Sequence, residues 1–343
     1  MPQNDEHPTM RHSRKRLNTL PSDTVFTNSI GGAAGATSSE KSHKPTVDSH
    51  ALMRQLFPQY KASSDKEQRF YRNGPRHRQE DHCDFLQLRQ RFNFRSIEIG
   101  RWVTQQEKLS AAGRFYDALC DLMVILQVPE SVISLKGTLA LHYGTGGRPG
   151  IAAHYAPNQR AFALAKNAGP GSIAHEWFHA LDHYLASKSF KTAEGIRFAS
   201  DLWLQQGNGG QDLIAHPLNH KLSNCFAAVM LSENGEEPSE LFRMSLLADK
   251  AAGLNYYSQP EELCARAFEA FIQDASIKNN FLVKGTKAST EAQYGLYPRG
   301  AERNRINAHF ADYFAMLGRA VRKQMEGCKT NRSTDRTNPI RAN

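Results

Sequence analysis

The sequence predicts an α+β fold in which a small mixed sheet, early in the ordered part of the chain, is followed by a mainly helical part. Three observations predict it. Alternation of apolar and polar residues is confined to residues 92–166, apolar residues recur at three- and four-residue steps from residue 171 onward, and no repeat of fixed period is present. With 343 residues, 40% of them hydrophobic, the chain can bury a substantial core, which excludes peptide hormones and disulfide miniproteins.

The composition also bears on compartment and membrane association. No segment approaches the run of about eighteen apolar residues that a membrane-spanning helix needs, and the polar, basic N-terminus differs from a secretion signal. The five cysteines are widely spaced and form no C-x-x-C pair, which argues against a disulfide framework and against a zinc cluster held by thiolates. These features predict a cytoplasmic protein that does not contact a membrane.

Charge and composition divide the chain into four segments. We expect a disordered basic tail at residues 1–50, a linker or helical extension at 51–90, one folded domain at 91–318 and a basic tail at 319–343. The net charge of +9 lies in the ends of the chain, because its middle is neutral. Such tails can make weak contacts with nucleic acid, but basic ends of low hydrophobicity are more often solvated extensions.

The elements of the domain are expected in the following order. Residues 92–103 alternate as a strand does, and residues 104–126 have the apolar spacing of a helix that stops near Pro129. Two β-rich segments, 132–143 and 151–166, flank a glycine-rich loop that lacks the Lys-Ser/Thr pair of a phosphate-binding loop and is interpreted as a connector. Helices are then predicted at residues 171–187, 192–206, 219–232, 238–252, 258–274 and 303–322.

Residues 175–179 read His-Glu-Trp-Phe-His, an H-E-x-x-H sequence. On a helix, one turn separates His175 from His179, so both imidazoles project from one face and can bind one zinc ion at about 2.0–2.1 Å. Glu176 lies about 100° round the helix, where its carboxylate can act as general base on a zinc-bound water. His183 continues the series, but a straight helix carries it away from the ion. The sequence thus predicts one Zn²⁺ per chain, and the alternative is two histidines on an ordinary helix.

A catalytic zinc ion usually has three protein ligands, and the third is predicted further along the chain. Ser258 and Glu261 have the spacing of a capping box at a helix start, which leaves Glu262 free to bind the metal. An i, i+4 surface pair with Arg266 is the alternative role for this glutamate. Glu269, seven residues further along the same face, is the reserve ligand.

Five other side chains have possible roles near such a site. Asp182 is spaced to accept the second N–H of a ligand imidazole, or is simply a polar residue near a helix end. Tyr256 or Tyr257 could donate to a developing oxyanion, or both could pack in the core. His154 could line the cleft and bind substrate, although a single histidine on a strand is more often structural. Cys264 is interpreted as a small buried hydrophobe.

Several stretches of the chain resemble known families: 153–157 (AHYAP), 171–182 (GSIAHEWFHALD), 256–258 (YYS), 262–269 (ELCARAFE) and 297–303 (YPRGAER). They resemble the zincin-like large polyvalent-protein-associated domain of phages, conjugative elements and their host bacteria. They are also similar to gluzincins of the anthrax lethal factor type. The resemblance implies a zincin-like metallopeptidase fold, zinc binding by Glu262 and an upstream tyrosine as oxyanion donor, without deciding between Tyr256 and Tyr257. Phe178 stands where a glycine is common in these families.

The function predicted from these observations is that of a zinc metallopeptidase acting on a protein or peptide. Residues 160–166, just before the histidine helix, would be the edge strand with which an extended substrate pairs. The alternative function is that of a binding protein associated with nucleic acid or a mobile element, with basic tails and a structural or vestigial zinc site.

Overall fold

The computed structural model describes residues 70–79, 83–145, 153–165, 171–207 and 210–334, with side chains as far as residue 328. Outside the described residues lie the whole of the predicted tail 1–50, most of the predicted extension 51–90, residues 146–150 of the glycine-rich loop, and residues 335–343 of the second predicted tail.

The predicted α+β class is confirmed, with a small mixed sheet and a largely helical remainder. Strands β1 (Ile97–Ile99), β2 (Ala140–Tyr143) and β4 (Ala161–Leu164) run parallel, and β3 (Ala153–Ala156) pairs antiparallel with β4. The order is β1-β2-β4-β3, so β4 is an internal strand and β3 lies at one edge. The prediction that residues 160–166 form the edge is therefore wrong. The side chains of β4 are buried along its whole length, as is usual for a strand with neighbours on both sides.

Two other predicted strands are much shorter than the alternation suggested. Phe92 ends helix α1 (Phe85–Phe92) instead of beginning a strand, and only Ile97–Ile99 of that segment pairs. The segment 132–143 begins in a short helix, α3 (Glu130–Ile133), and continues through a turn in which Leu135 and Lys136 have positive φ. Strand pairing depends on partners distant in sequence, so alternation alone does not set where a strand begins.

The predicted helices are present with altered ends. They are α2 (Gln105–Leu126), α4 (Ile173–Ser189), α5 (Ala199–Gln205), α6 (Pro217–Met230), α7 (Glu240–Ala252), α8 (Pro260–Asp274) and α10 (Gly300–Thr334), and the structure adds the short helix α9 (Thr290–Gln293), which was not predicted. The first of these begins at a capping box formed by Thr104 and Glu107. Helix α5 is shorter than the predicted 192–206, whereas α10 continues through the first part of the predicted tail at 319–343. None of the helices in the described part of the chain has the length and apolarity needed to cross a bilayer.

The core joins α4 to α8 and α10 through aromatic side chains. The ring of Trp177 lies 5.6 Å from that of Phe268, and its indole N–H donates to the carbonyl of Ile133 at 2.9 Å. The ring of Phe178 lies 4.9 Å from Phe268 and 5.8 Å from Phe310. Burial of each such side chain stabilises the fold by roughly 1.5–3 kcal/mol, so α4 and α8 are held firmly against each other.

Residues 70–79 also belong to the folded unit. Arg72 donates to both carboxylate oxygens of Asp121 at 2.6 and 2.7 Å, and the Nε2 of His77 lies 2.8 Å from Oδ1. The side-chain amide of Asn279 donates to Oδ2 of the same aspartate, which is fully buried. Close by, the carbonyls of Phe281 and Leu282 accept hydrogen bonds from the backbone at the start of α4. The ordered domain therefore begins before the predicted residue 91.

Candidate metal centre

The centre is built on the first turns of α4, which contain the H-E-x-x-H sequence. The backbone N–H of Gly171 donates to the carbonyl of Phe281 and that of Ala174 to the carbonyl of Leu282, and these bonds fix the start of the helix. Gly171 has a φ of +112°, which favours glycine. Ser172, at the N-cap, makes no capping hydrogen bond through its side chain, so the backbone bonds to Phe281 and Leu282 hold the start of the helix.

The two histidines of this helix converge. The Nε2 atoms of His175 and His179 lie 3.0 Å apart, and both side chains are largely buried, with exposed fractions of 12% and 7%. This proximity follows from their spacing of one turn. Two ring nitrogens on one side of a helix thus meet at a point that a third side chain can approach.

Glu262 of α8 is that third side chain. Its Oε2 lies 3.3 Å from the Nε2 of His175, and its Oε1 lies 3.3 Å from the Nε2 of His179. Within the described residues, these three form the only group of three or more His, Cys, Asp or Glu side chains arranged to hold a metal ion. The alternative of an ion pair between Glu262 and Arg266 is not observed: Arg266 donates to Ser245 and to the carbonyl of Tyr257.

The predicted capping box of Ser258 and Glu261 is nevertheless not formed. Helix α8 has Gln259 at its N-cap, without a side-chain hydrogen bond, and Pro260 at its first position. The hydroxyl of Ser258 donates instead to Asp249. Glu262 is presented by the packing of α8 on α4, and no local signal at the helix start sets its direction.

The donor atoms suit zinc in number, type and spacing. Ligands at about 2.0–2.1 Å in a tetrahedron are about 3.3–3.4 Å apart, close to the observed separations of 3.0–3.3 Å. Two imidazoles and one carboxylate are a common ligand set of a catalytic zinc site, which leaves a fourth position for water or substrate. Burial alone would raise the pKa of Glu262, but the charges and hydrogen bonds of His179 and His175 outweigh it and hold the pKa well below its ordinary value.

A buried chain of polar groups supports one of the two histidines. The Nδ1 of His175 lies 3.1 Å from Oε2 of Glu269, and the hydroxyl of Tyr297 donates to the same oxygen at 3.1 Å. An imidazole that donates through Nδ1 presents the lone pair of Nε2 to a metal. Glu269, predicted as the reserve ligand, thus contacts the outer nitrogen. The Nδ1 of His179 is buried and makes no hydrogen bond, so the two rings are held differently.

The structure does not place Asp182 in the supporting role predicted for it. Its carboxylate accepts hydrogen bonds from the backbone N–H and the hydroxyl of Ser200, at 2.9 and 2.5 Å, near the start of α5. Its position on α4 brings it to that helix, while Glu269 reaches His175 from α8. Burial raises the pKa of Asp182 to about 7.

The two candidate tyrosines are separated by their contacts. The side chain of Tyr256 lies near Glu262, and burial raises the pKa of its phenol well above the ordinary value, with further contributions from the charges of Glu262 and Glu176. The ring of Tyr257 instead lies over the guanidinium of Arg266 at 5.2 Å. The structure therefore brings Tyr256, and not Tyr257, close to Glu262 of the candidate metal centre. Glu176 itself is almost fully buried on α4.

The remaining predicted residues lie apart from the three ligands. Tyr155 of β3 bonds the Nδ1 of His183 on α4 at 2.8 Å, so His183 is engaged elsewhere, as its position on the helix predicted. His154, next to Tyr155, faces the other side of the sheet because side chains alternate along a strand. Cys264 is a buried free cysteine, as predicted.

Sequence reasoning assigned no role to Tyr297, Asp249 or Ser200. Tyr297 stood within one of the stretches that carry the family resemblance, and nothing in its neighbourhood pointed to Glu269. Its contact links residues 28 positions apart, and Asp249 acts on backbone N–H groups seven to nine positions away. Such pairings arise from tertiary packing, which periodicity does not report.

The family model of large polyvalent protein-associated domain 1 matches residues 248–321. The match covers less than a quarter of the chain. It includes Glu262, Glu269, Tyr256 and Tyr297, and it excludes the two histidines. No curated protein and no solved structure matched the chain. The match agrees with the predicted resemblance to a large polyvalent-protein-associated domain, while the zincin-like part of that resemblance stays a prediction.

Proposed function

We propose that the protein is a zinc-dependent metallopeptidase in which His175, His179 and Glu262 hold one Zn²⁺ and Glu176 is the general base. The observation that carries the proposal is the convergence of two imidazole nitrogens and one carboxylate at separations of 3.0–3.3 Å. Three protein ligands with one open position are typical of hydrolytic zinc sites and not of structural ones, which are closed by four.

The side chains around the ligands have the chemistry that amide hydrolysis needs. When bound, zinc supplies Lewis acidity, which polarises a carbonyl and lowers the pKa of a water molecule. Glu176 takes the proton of the attacking water on its carboxylate and delivers it to the leaving amine. The phenol of Tyr256 stays protonated because its pKa is high, so it can donate a hydrogen bond to the developing oxyanion. Glu269 and Tyr297 keep the ring of His175 in the tautomer that binds metal.

The sheet offers a place for an extended substrate. In the described part of the sheet, β3 pairs only with β4, and β3 packs against α4. We infer that a peptide adds to the outer edge of β3, with backbone hydrogen bonds supplying affinity. The edge predicted at residues 160–166 is thereby replaced by Ala153–Ala156, which keeps His154 as a candidate for contact with the substrate.

Metal analysis of three purified variants tests the proposal. Wild-type protein and Glu176→Gln should each contain about one zinc per chain, but only the wild type should cleave a fluorogenic peptide library. His175→Ala should lose the metal because one of three ligands is gone. His183→Ala is the matched control: it removes a histidine from the same helix and should retain zinc. Wild-type protein without zinc, or a Glu176→Gln protein with undiminished proteolysis, would reject the proposal.

A second candidate function rests on the exposed basic side chains of α10, among them Arg319 and Lys323. In this alternative the protein binds nucleic acid and the zinc is structural. Counterion release would then make affinity for duplex DNA fall by orders of magnitude between low and moderate salt. If the protein is a metallopeptidase, it should bind DNA only weakly. The double variant Arg319→Gln/Lys323→Gln should lose this DNA binding and keep the zinc content of the wild type. Tight, steeply salt-dependent binding by a protein that cleaves no peptide would favour the alternative.

A further inference from the structure

The loop at residues 253–259 joins α7 to α8, carries Tyr256 and leads directly to Glu262. Asp249, in the last turn of α7, holds this loop from one side. Its Oδ1 accepts the backbone N–H groups of Tyr256 at 3.1 Å and Tyr257 at 2.9 Å. Its Oδ2 accepts the backbone N–H of Ser258 at 2.8 Å and the hydroxyl of Ser258 at 2.6 Å. Four donors meet the four acceptor sites of one carboxylate, which is itself 4% exposed.

Arg266 holds the same loop from the other side. This residue of α8 is buried, donates to the carbonyl of Tyr257 and to the hydroxyl of Ser245, and lies against the ring of Tyr257. The ring of Tyr257 in turn meets that of Tyr256 edge to face, with centroids 5.2 Å apart. An anion therefore binds the N–H groups of the loop while a cation binds one of its carbonyls.

This arrangement fixes the position from which the Tyr256 side chain starts. Ordering the backbone of a loop costs about 1–2 kcal/mol per residue, so three consecutive N–H groups held by one carboxylate remove much of the freedom that Tyr256 would otherwise have. With its backbone fixed, the phenol needs only a choice of rotamer to lie beside Glu262, whose charge helps to raise its pKa. A loop of this length could place its tyrosines in many ways, and the Asp249 carboxylate selects one.

We propose that Asp249 is a positioning residue for Tyr256: by binding the backbone N–H groups of residues 256–258, it holds the phenol beside Glu262. This inference rests on the proposed function, because it assigns to Asp249 the placement of the phenol that would meet the substrate carbonyl. It concerns a residue that touches neither the metal ligands nor the substrate.

A double-mutant cycle on zinc affinity tests the inference in the full chain, with zinc alone as the probe and a chromophoric chelator as competitor. Tyr256→Phe removes the phenol hydroxyl beside Glu262 and should weaken zinc binding by about 10-fold. Asp249→Asn offers a donor where Ser258 needs an acceptor, so it should release the loop and weaken binding by a similar factor. If Asp249 acts through Tyr256, the double variant should be no weaker than the weaker single variant.

Two further variants separate positioning from general stability. Ser239→Ala removes a buried N-cap at the other end of α7 and should lower stability without changing zinc affinity. Ser258→Ala removes one of the four bonds to Asp249 and should give a smaller loss of affinity that disappears in the Tyr256→Phe background. It tests the inference even if Asp249→Asn does not fold.

Amide hydrogen exchange supplies the second readout. The N–H groups of residues 256–258 should be protected in the wild type and exchange faster in Asp249→Asn, but not in Ser239→Ala. The inference would be overturned if the effects of Asp249→Asn and Tyr256→Phe multiplied in the double variant, or if exchange at residues 256–258 did not change. Either outcome would leave the proposed function standing. A wild-type protein that takes up no zinc would reject the proposed function and this inference together.

Discussion

The two helices that carry the proposed zinc ligands differ in how their side chains are fixed. On α4, the spacing of one turn brings His175 and His179 together, and the helix needs only a firm start and a buried face. On α8, Glu262 is one of several polar residues whose partners are distant: Glu269 meets Tyr297, and Arg266 meets the loop that Asp249 binds. Local helix geometry therefore brings the two histidines together, whereas tertiary packing places Glu262 and the residues that support the site.

The strongest test of this difference removes the ligand from α8. Glu262→Gln should reduce zinc affinity by more than about 100-fold, beyond the range typical for residues that only support a ligand. Glu261→Gln is the matched control at the adjacent position. Because burial raises the pKa of Glu261 to about 8, this carboxyl is mostly protonated at pH 7, and an amide of equal size should leave zinc affinity unchanged. Equal losses in the two variants, measured by chelator competition, would show that Glu262 is not a ligand.

A smaller effect should follow from breaking the support of His175. Glu269→Gln should weaken zinc binding by about 10–100-fold, because the imidazole loses its charged acceptor. Tyr297→Phe leaves the Glu269–His175 contact in place and should have a smaller effect in the same direction. Tyr155→Phe also removes a hydrogen bond between a phenol and a histidine of α4, but that histidine is His183, so zinc affinity should not change.

If Tyr155→Phe and Tyr297→Phe altered zinc affinity by the same factor, the chain from Tyr297 to His175 would have no special part in the site. His179 provides a second comparison, because its Nδ1, unlike that of His175, makes no hydrogen bond. If the site depends on the support of His175, substitution of Glu269 should reduce zinc affinity more than substitution of any residue next to His179.

Substitution of Asp182 should have the smallest effect on zinc binding, but a measurable effect on the free energy of unfolding. Its folded-state pKa is raised from 3.8 to about 7 by burial, so the folded protein binds more protons than the unfolded chain between these values. Stability present below about pH 4 should therefore be lost as the pH rises to about 7. Asp182→Asn cannot ionise, so its free energy of unfolding from urea titrations should fall less over this window, with zinc content unchanged. An identical pH dependence in both proteins would refute the assignment.

The sequence predicted those parts of the molecule that depend on local spacing. The α+β class, the helices α2, α4 and α8, and the pairing of His175 with His179 follow from apolar and motif periodicity. The strand limits do not, because a residue such as Phe94 is buried whether or not its backbone pairs. Glu262 was predicted from a capping box that the structure does not contain, and the family resemblance independently implied the same residue.

The choice between Tyr256 and Tyr257 was beyond sequence reasoning for a similar reason. The two are adjacent and chemically equal, and their separation depends on Asp249 and Arg266, which lie on different helices. The spacing of Asp182 from His175 and His179 suits a hydrogen bond to one of these imidazoles. In the structure its carboxylate instead accepts hydrogen bonds from Ser200 of α5. In each case a competing partner, brought in by packing, decides the outcome.

The anchorage of residues 72–77 on Asp121 has a practical consequence for anyone who wishes to shorten this protein. A version beginning at residue 83 would leave a fully buried carboxylate with only the amide of Asn279, and an uncompensated buried charge costs about 3–5 kcal/mol. Since Asn279 precedes the two carbonyls that tether the start of α4, the damage would spread to the histidines. Truncation should therefore spare everything from Phe70 onward.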